Sequence, residues 1–137
     1  MNNSLTKQVL IVRRDLKMRR GKEVSQGGHG ASMFMALLLR EMLDGNFDNF
    51  YALSEAKKLW IKEKFTKITL AAPDEQTILD VQKAAQEAGI DTYLVTDSGF
   101  TEFHGVPTNT VLSLGPDFVE KIDAITGKNG LFPLPLY

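Results

Sequence analysis

The chain has 137 residues, of which 43% are hydrophobic and 24% charged, and its formal net charge is −1. This length suits one compact domain with its own core, and the near-zero charge excludes a polycation that binds nucleic acid over its whole surface. The lack of cysteine excludes disulfides and a thiolate nucleophile, and the lack of an apolar run near the roughly 20 residues of a membrane span, or of a signal peptide, favours a soluble cytoplasmic protein.

The first patterned segment is an apolar run, Val9 to Val12. A continuous Val/Leu/Ile run is typical of a central strand covered on both faces, so residues 7–13 are predicted as the first strand and residues 1–6 as irregular. A loop over 14–21 should follow, and then a helix from residue 21 or 22 to residue 43, ended by Asp44-Gly45-Asn46. Its apolar positions at helical spacing are Val24, Ala31, Met35, Leu38, Leu39 and Met42.

The middle of the chain alternates between helical and strand patterns. Ser54 can cap a short helix that ends at Trp60 or Lys64, with Phe47, Phe50 and Tyr51 packed in the connection before it. Residues 65–72 alternate like a second strand. Pro73-Asp74 opens another helix that Gly89 closes. The inward face of that helix is predicted to be Ile78, Val81 and Ala85.

The last third of the chain contains two strand patterns with a loop between them. Residues 91–96 are predicted as the third strand, 99–109 as a loop and 110–114 as the fourth strand. Gly115-Pro116-Asp117 is expected to start the last helix, and the tail over 128–137, with its two prolines, should be irregular. The buried positions of the last helix should be Phe118, Ile122 and Ile125, with Gly127 at its end.

The order of these elements is β-α-α-β-α-β-β-α. Helices between strands argue for an α/β layer sandwich with a small, partly parallel sheet, in a single domain. The third and fourth strands are too close in sequence for a crossover helix between them. They form either an antiparallel hairpin with a long loop or non-adjacent strands, and the sequence leaves both options open.

Residues 13–22 concentrate positive charge around the single acid Asp15. Six cations lie there: Arg13, Arg14, Lys17, Arg19, Arg20 and Lys22. Arginine and lysine bind phosphate through charge, and arginine adds a two-pronged fork of donors. A basic loop between a strand and a helix can therefore hold a polyanion, although most charge runs are solvated surface. We expect Asp15 to organise the loop through an ion pair.

Lys22, Gln26 and His29 recur at i, i+4 and i+7 and so share one helix face. A polar stripe that follows a cationic loop can line a site or simply face solvent. His29 could act as a base near neutral pH, although a lone histidine is more often structural. His29 and His104 alone do not make a metal site, so no metal or cofactor is expected.

Three glycines, Gly27, Gly28 and Gly30, fall inside the predicted helix. Each costs a helix about 1 kcal/mol relative to alanine. They should therefore allow close packing of the helix on the sheet or close approach of a ligand phosphate, and the two explanations are compatible.

Asp97, Ser98 and Thr101 follow the third strand. Open α/β sheets place ligands at strand ends, and an acid there can orient or deprotonate a water while a threonine hydroxyl orients it. The alternative is an Asx-turn that caps the loop. We expect this stretch to meet the basic stretch in space. His104 and Thr108 are weaker candidates in the same loop.

Taken together, the segments KQVLIVRRDLKMRRGKEVSQGGHGA (residues 7–31) and TDSGFTEFHGVPTNTVLSLGPDFVEKIDAITG (residues 96–127) resemble the type 2 peptidyl-tRNA hydrolase family. That family carries a V-R-x-D-L-K-M-x-K-G-K block, a D-x-G-x-T segment and a T-V-L-x-I-G-P stretch, in this order. The resemblance implies a three-layer α/β sandwich whose four-stranded mixed sheet has helices on both faces. It also implies hydrolysis of the ester between a peptide and the 3′ end of tRNA, with no cofactor, and the homodimeric assembly that is frequent in the family.

The resemblance also implies functional positions at Arg20, Lys22, Gln26, His29, Asp97 and Thr101. Asp97 and Thr101 would orient the attacking water, and Lys22 or Arg20 would stabilise the oxyanion. The tRNA would be held by Arg13, Arg14, Lys17, Arg19, Arg20, Lys22 and Gln26.

The chain departs from the family pattern at several points. Arg20 replaces the first lysine of the K-G-K triplet, and arginine cannot act as a base at physiological pH. Phe100 precedes the threonine where the family often has arginine, and the short family ending is replaced by Lys128 to Tyr137. Because of Arg20, the competing hypothesis is a tRNA- or RNA-binding protein with little or no turnover.

Overall fold

The computed structural model describes residues 5–99 and 103–137. In chain order the elements are β1 (Thr6–Arg13), α1 (Arg20–Leu43), α2 (Asp48–Tyr51), α3 (Glu55–Lys62), β2 (Lys67–Ala72), α4 (Glu75–Glu87), β3 (Thr92–Asp97), β4 (Thr108–Phe118) and α5 (Val119–Thr126). Ser54 and Asp74 cap α3 and α4 as predicted, because their side chains accept the N–H groups of Lys57 and Thr77.

The four strands form one mixed sheet in the order β2-β1-β4-β3. β1 pairs with β2 in parallel and with β4 antiparallel, and β3 pairs antiparallel with β4. The α/β prediction is therefore confirmed, and of the two options for the last two strands the hairpin is the one that forms. β3 lies at one edge of the sheet, and this position matters for the site below.

Helices cover both faces of the sheet, so the molecule has three layers. On one face, under α1, the buried cluster consists of Leu10, Val12, Met18, Val95 and Val111. On the other face α4 and α5 bury a larger cluster, which includes Val9, Ile11, Ile78, Val81, Ala85, Leu112, Leu114, Ile122 and Ile125. Alternate residues of β1 point to opposite faces, as a central strand requires.

The residues that α1 buries against the sheet differ from the predicted apolar stripe. Its fully buried residues are Gln26, Gly30 and Phe34, at i, i+4 and i+8, whereas Val24 is 70% exposed and Leu39 is 54% exposed. Gly30 explains the close approach of the helix, because a Cβ there would lie 2.9 Å from Val111 Cγ1. Packing therefore accounts for this glycine, while Gly27 and Gly28 have open space around them.

Two predictions are wrong, one for residues 115–117 and one for the connection after α1. Gly115-Pro116-Asp117 does not start a helix but continues β4, because β1 extends far enough to pair Lys7 with Asp117 and Thr6 with Phe118. The connection after α1 contains the short helix α2, and its aromatic side chains contact one another instead of the core. Phe47, Phe50 and Tyr51 are 39%, 41% and 76% exposed.

The tail after α5 lacks regular secondary structure, as predicted, but it is fixed to the outer edge of β2. The Ala71 N–H donates to the Pro135 carbonyl at 2.9 Å, and the Tyr137 N–H donates to the Thr69 carbonyl at 3.1 Å. Phe132 and Leu134 pack against the cluster under α4 and α5. The tail therefore covers one edge of the sheet, and β3 forms the other edge.

Candidate active site

The basic stretch and the Asp97 stretch meet at the start of α1. Lys22 Nζ lies 2.9 Å from Asp97 Oδ1, and Gln26 Nε2 donates to the same oxygen at 3.2 Å. The backbone N–H of Gly99 donates to Asp97 Oδ2 at 2.8 Å. These contacts join one turn of α1 to the end of β3 and leave the Lys22 and Asp97 side chains only 13% and 14% exposed.

A strand irregularity helps to hold this cluster. The pairing of β3 with β4 shifts between Val95 and Thr96, so that Thr110 has no cross-strand partner in β3. Such a shift redirects a side chain, and the Thr110 hydroxyl donates to Gln26 Oε1. Gln26 and Thr110 are both buried, so the amide of Gln26 is fixed with its Nε2 toward Asp97.

The electrostatic setting keeps Asp97 ionised. The hydrogen bond from Lys22 is the largest influence and lowers the pKa of the Asp97 carboxyl below its ordinary value. Burial acts in the opposite direction, and the Gly99 N–H, the charge of Lys22 and the amide of Gln26 lower this pKa further. Asp97 is therefore a carboxylate throughout the physiological range.

A cavity of about 440 Å³ opens beside Asp97, between α1 and β3. Gln26, His29, Asp97 and Ser98 line its end at the site. The His29 side chain is exposed there, and within the described residues it makes no hydrogen bond or ion pair. The cavity gives a substrate access to the carboxylate.

Gly99 is in close contact with residues 103–106, the described residues further along the loop after β3. The Gly99 carbonyl accepts the N–H groups of Phe103 and Gly105 at 3.2 and 2.9 Å. Gly99 has φ +88°, and a Cβ there would lie 2.2 Å from the Val106 carbonyl oxygen, so only glycine fits. Thr101, a predicted catalytic residue, lies outside the described residues.

The predicted RNA-contacting residues fall into two groups. Lys17, Arg19 and Arg20 are exposed around the start of α1. Arg14 is also exposed, and its guanidinium lies 4.6 Å from the centre of the Tyr137 ring.

Three other predicted RNA contacts point inward, and one of them, Lys22, is the partner of Asp97 described above. The Arg13 side chain is 12% exposed and binds Asp15 at 2.8 Å and the Asn109 carbonyl at 3.0 Å, so the expected ion pair with Asp15 is present. The hydrogen bond to Asp15 raises the pKa of Arg13. Gln26 is 2% exposed, and this burial does not leave its amide accessible to RNA.

Sequence inspection missed Thr110 and the backbone of Gly99 as parts of the site. Thr110 precedes the run Val111-Leu112 in a strand, and its position suggested only a strand residue. Its contact with Gln26 depends on the register shift, which no local pattern encodes. Gly99 follows Asp97 by two residues, which is the spacing of an Asx-turn, and the predicted alternative for Asp97 was such a turn.

Within residues 5–99 and 103–137, no three potential metal-ligating side chains cluster together. In the same ranges no helix has the length and hydropathy to cross a membrane. The candidate site consists of a lysine–carboxylate pair, a buried amide and the exposed cations nearby.

Fold and site together define the class: a three-layer α/β protein with a central carboxylate beside a cationic loop, at the end of an edge strand. The family model described as Peptidyl-tRNA hydrolase PTH2 matches residues 6–132, and the chain belongs to this family. A peptidyl-tRNA hydrolase of Methanothermobacter thermautotrophicus is 36% identical over 124 residues, which cover 88% of this chain and 95% of that protein.

Two further relatives agree with this assignment. A peptidyl-tRNA hydrolase of Methanocaldococcus jannaschii is 32% identical over 121 residues, with coverage of 88% of this chain and 95% of the relative. A probable peptidyl-tRNA hydrolase 2 of Dictyostelium discoideum is 36% identical over 125 residues, which cover 88% of this chain and 51% of that longer protein.

Proposed function

We propose that this protein hydrolyses the ester that joins a peptide, or an N-blocked amino acid, to the 3′ end of tRNA, and that it acts in the cytoplasm. The observation that carries the proposal is the contact of Lys22 and Gln26 with Asp97 at the mouth of a cavity, beside exposed cations. Membership of the family and the names of the relatives support the same activity.

In the proposed reaction a water attacks the ester carbonyl carbon. Asp97, ionised and fixed by three donors, orients the water and receives its proton as the carbon–oxygen bond forms. The bond to the ribose oxygen then breaks, and this oxygen takes up the proton that Asp97 received, which restores the carboxylate. The products are a peptide with a free carboxyl group and a tRNA with a free 3′ end.

The cations have separate proposed roles in this reaction. Lys22 neutralises Asp97 and places a positive charge next to the oxyanion that develops on the ester carbonyl. The exposed residues Arg14, Lys17, Arg19 and Arg20 contact tRNA phosphates, and the predicted role of Arg20 at the oxyanion stays a prediction.

The inward-facing residues are assigned to positioning. Arg13 organises the basic loop through Asp15, and Gln26 orients Asp97, instead of binding RNA as the sequence suggested. His29 remains a predicted catalytic base, and Thr101 a predicted contributor to water orientation. A homodimer likewise remains a prediction.

The first experiment measures release of a labelled N-acetyl-aminoacyl group from tRNA by the purified protein and by Asp97→Asn. Asparagine keeps the shape of the side chain but loses the charge, so kcat should fall by about 10²–10⁴-fold while tRNA binding persists. The matched control is Asp80→Asn, which changes an exposed acid on α4 at the other face of the sheet.

The outcomes separate the hypotheses. Release by the wild type and Asp80→Asn but not by folded Asp97→Asn supports the hydrolase. A folded wild type that binds tRNA without releasing the group supports the binding-only alternative, and Arg20→Lys then tests whether the missing family lysine is the cause. Full activity of Asp97→Asn contradicts the proposed role of Asp97.

A further inference from the structure

A cleft made of two cavities that share Leu37 lies between α1 and β3, with Asp97 at one end and Asp91 at the other. The cavity of about 440 Å³ beside Asp97 is walled by Met33, Ala36, Leu37 and Val95. A second cavity of about 430 Å³ also reaches Leu37 and continues past Tyr93 to Asp91, at the start of β3. The two cavities together follow α1 on one side and β3 on the other.

β3 offers an unpaired backbone edge to this cleft. In the described part of the chain, β3 pairs with β4 only. The Gly115 N–H donates to the Asp91 carbonyl at 2.9 Å, so the backbone groups of residue 91 face β4. In an antiparallel pair, the residues whose N–H and C=O groups face the partner strand alternate with residues whose groups face away from it. The N–H and C=O groups of Tyr93 therefore face β4, and those of Thr92 and Leu94 point outward.

The charges of the cleft do not suit RNA. Cations are concentrated in the loop before α1 and in its first turn, outside the cleft. Arg40 lines the cavity beside Asp97. The second cavity is lined by the acids Glu41 and Asp91, and Asp91 forms an ion pair with Lys57. A phosphate chain that followed β3 from Asp97 would leave the basic loop for a cleft in which Arg40 and Lys57 only balance Glu41 and Asp91.

From these observations we infer that the cleft binds the peptide part of the substrate as an added strand on the free edge of β3. This inference rests on the proposed function. The ester must lie at Asp97, so the C-terminal end of the peptide lies at the C-terminal end of β3. The peptide therefore runs in the same direction as β3 and pairs with it in parallel.

The dimensions and chemistry fit a hydrolase for peptides of any sequence. β3 has six residues, and at roughly 3.3 Å per residue a peptide of about six residues spans it. Backbone pairing recognises any sequence, and a wall of mixed apolar and polar side chains can accept varied side chains of the peptide. Because outward groups on β3 occur at every second residue, only alternate peptide amides are hydrogen-bonded.

The test compares hydrolysis of peptidyl-tRNAs whose peptides carry one to eight residues, all on the same tRNA. The expected result is a kcat/KM that rises about 10- to 100-fold with length and levels off near six residues. In the six-residue substrate, methylation of single backbone nitrogens should reduce this gain at alternate positions only. A rate that is independent of length, or equally sensitive to methylation at every position, overturns the inference.

A pair of protein variants provides an independent check. Ala36→Phe fills the cleft, whereas Leu39→Phe places the same ring on an exposed position of α1 outside the cleft. Ala36→Phe should reduce the advantage of the six-residue over the one-residue substrate by at least 5-fold, and Leu39→Phe should preserve it. Circular dichroism verifies folding, and the methylation series needs no variant.

The outcomes also separate this inference from the proposed function. If the wild type cleaves N-acetyl-aminoacyl-tRNA and the length series is flat, the hydrolase assignment stands and the peptide cleft is wrong. If no substrate is cleaved, the proposed function itself fails. If sedimentation shows that Ala36→Phe dissociates a dimer while the length series is flat, the cleft is an interface between two copies of the chain.

Discussion

At the residue scale, Asp97 is the group whose surroundings are most specific. Its two oxygens accept hydrogen bonds from a lysine, a buried amide and a backbone N–H. Three donors stabilise the charged form, so Asp97 is a weaker base than a free carboxylate, and the same donors hold it in a fixed orientation for the attacking water. The buried contact of Gln26 with Thr110 extends this fixation into the sheet.

The low pKa of Asp97 predicts how activity responds to acid. The pKa of Asp97 in the folded protein is below the ordinary value of 3.8. Asp97 should therefore stay ionised, and hydrolysis should continue, until the pH falls below about that value. Lys22→Met removes the largest cause of the lowered pKa and leaves burial, which acts upward. The pH at which kcat/KM falls on the acidic side of its profile (the acid limb) should then be higher than in the wild type. A pH–rate profile measures this shift.

The lowered pKa of Asp97 also determines how the stability of the fold changes with pH. A carboxyl with a depressed pKa contributes stability that is present above its unfolded pKa and is lost as the pH falls through its folded pKa. Lys22→Met should therefore lose the Asp97 contribution at a higher pH than the wild type, in thermal melts between pH 3 and pH 6. Lys83→Met, on the opposite face of the sheet, should leave both the acid limb and the melting profile in place.

At the element scale, α1 shows how a helix can position a site through its small residues. The helix lies on the sheet along Gln26, Gly30 and Phe34, and the close approach at Gly30 brings Gln26 within reach of Thr110 and Asp97. Gly28 lies on the same helix but faces open space. The two glycines should therefore respond oppositely to the same substitution.

Gly30→Ala should destabilise the protein and Gly28→Ala should stabilise it. The added methyl at residue 30 meets the stiff Val111 side chain at 2.9 Å, and overpacking of this kind costs about 1–3 kcal/mol. At residue 28 the methyl meets nothing within 4 Å, so the helix gains up to about 1 kcal/mol. Chemical denaturation measures both, and equal effects of the two changes would contradict the packing explanation.

The tail is a second element whose role depends on packing. Leu134 packs against the cluster under α4 and α5, whereas Leu136 is 73% exposed although its backbone pairs with Leu70. Leu134→Ala should cost about 1–3 kcal/mol of unfolding free energy, and Leu136→Ala less than about 0.5 kcal/mol. A similar small loss for both variants in urea unfolding would indicate that the tail is held by its backbone alone.

The part of the fold that follows local patterns was predictable, and the part that depends on pairing was not. The continuous run at Val9, the caps at Ser54 and Asp74 and the turn at Gly89 act within a few residues, and each is found as expected. The continuation of β4 through Pro116 depends on where β1 starts.

The candidate site divides in the same way. Its charged members are visible as a basic stretch and a strand-end acid, and their meeting follows from the topology of an α/β sheet. Thr110 could not be recognised, since its contact with Gln26 arises from a register shift between β3 and β4. The inward direction of Arg13 depends likewise on a distant carbonyl, that of Asn109.

At the scale of the whole molecule, charge is uneven although the total is nearly zero. The net charge is −1, yet residues 13–22 contain six cations and one acid. The strong local field of such a patch can attract the phosphates of tRNA while the rest of the surface repels them. The patch adjoins Asp97, whereas the acids Glu41 and Asp91 lie toward the opposite end of β3.

This distribution predicts a steep dependence of tRNA binding on salt. Each phosphate contact contributes a slope of roughly −0.7 to −0.9 to the plot of log K against log salt concentration, because binding releases condensed counterions. Lys17→Gln, in the patch, should weaken binding and make the slope shallower by about that amount. Lys83→Gln removes the same charge from α4 and should change neither quantity.

Filter-binding titrations of one tRNA at several salt concentrations measure both slopes. Equal slopes for the two variants would mean that the total charge, and not the patch, governs binding, and an affinity of the wild type that does not respond to salt would remove residues 13–22 from the proposed interface.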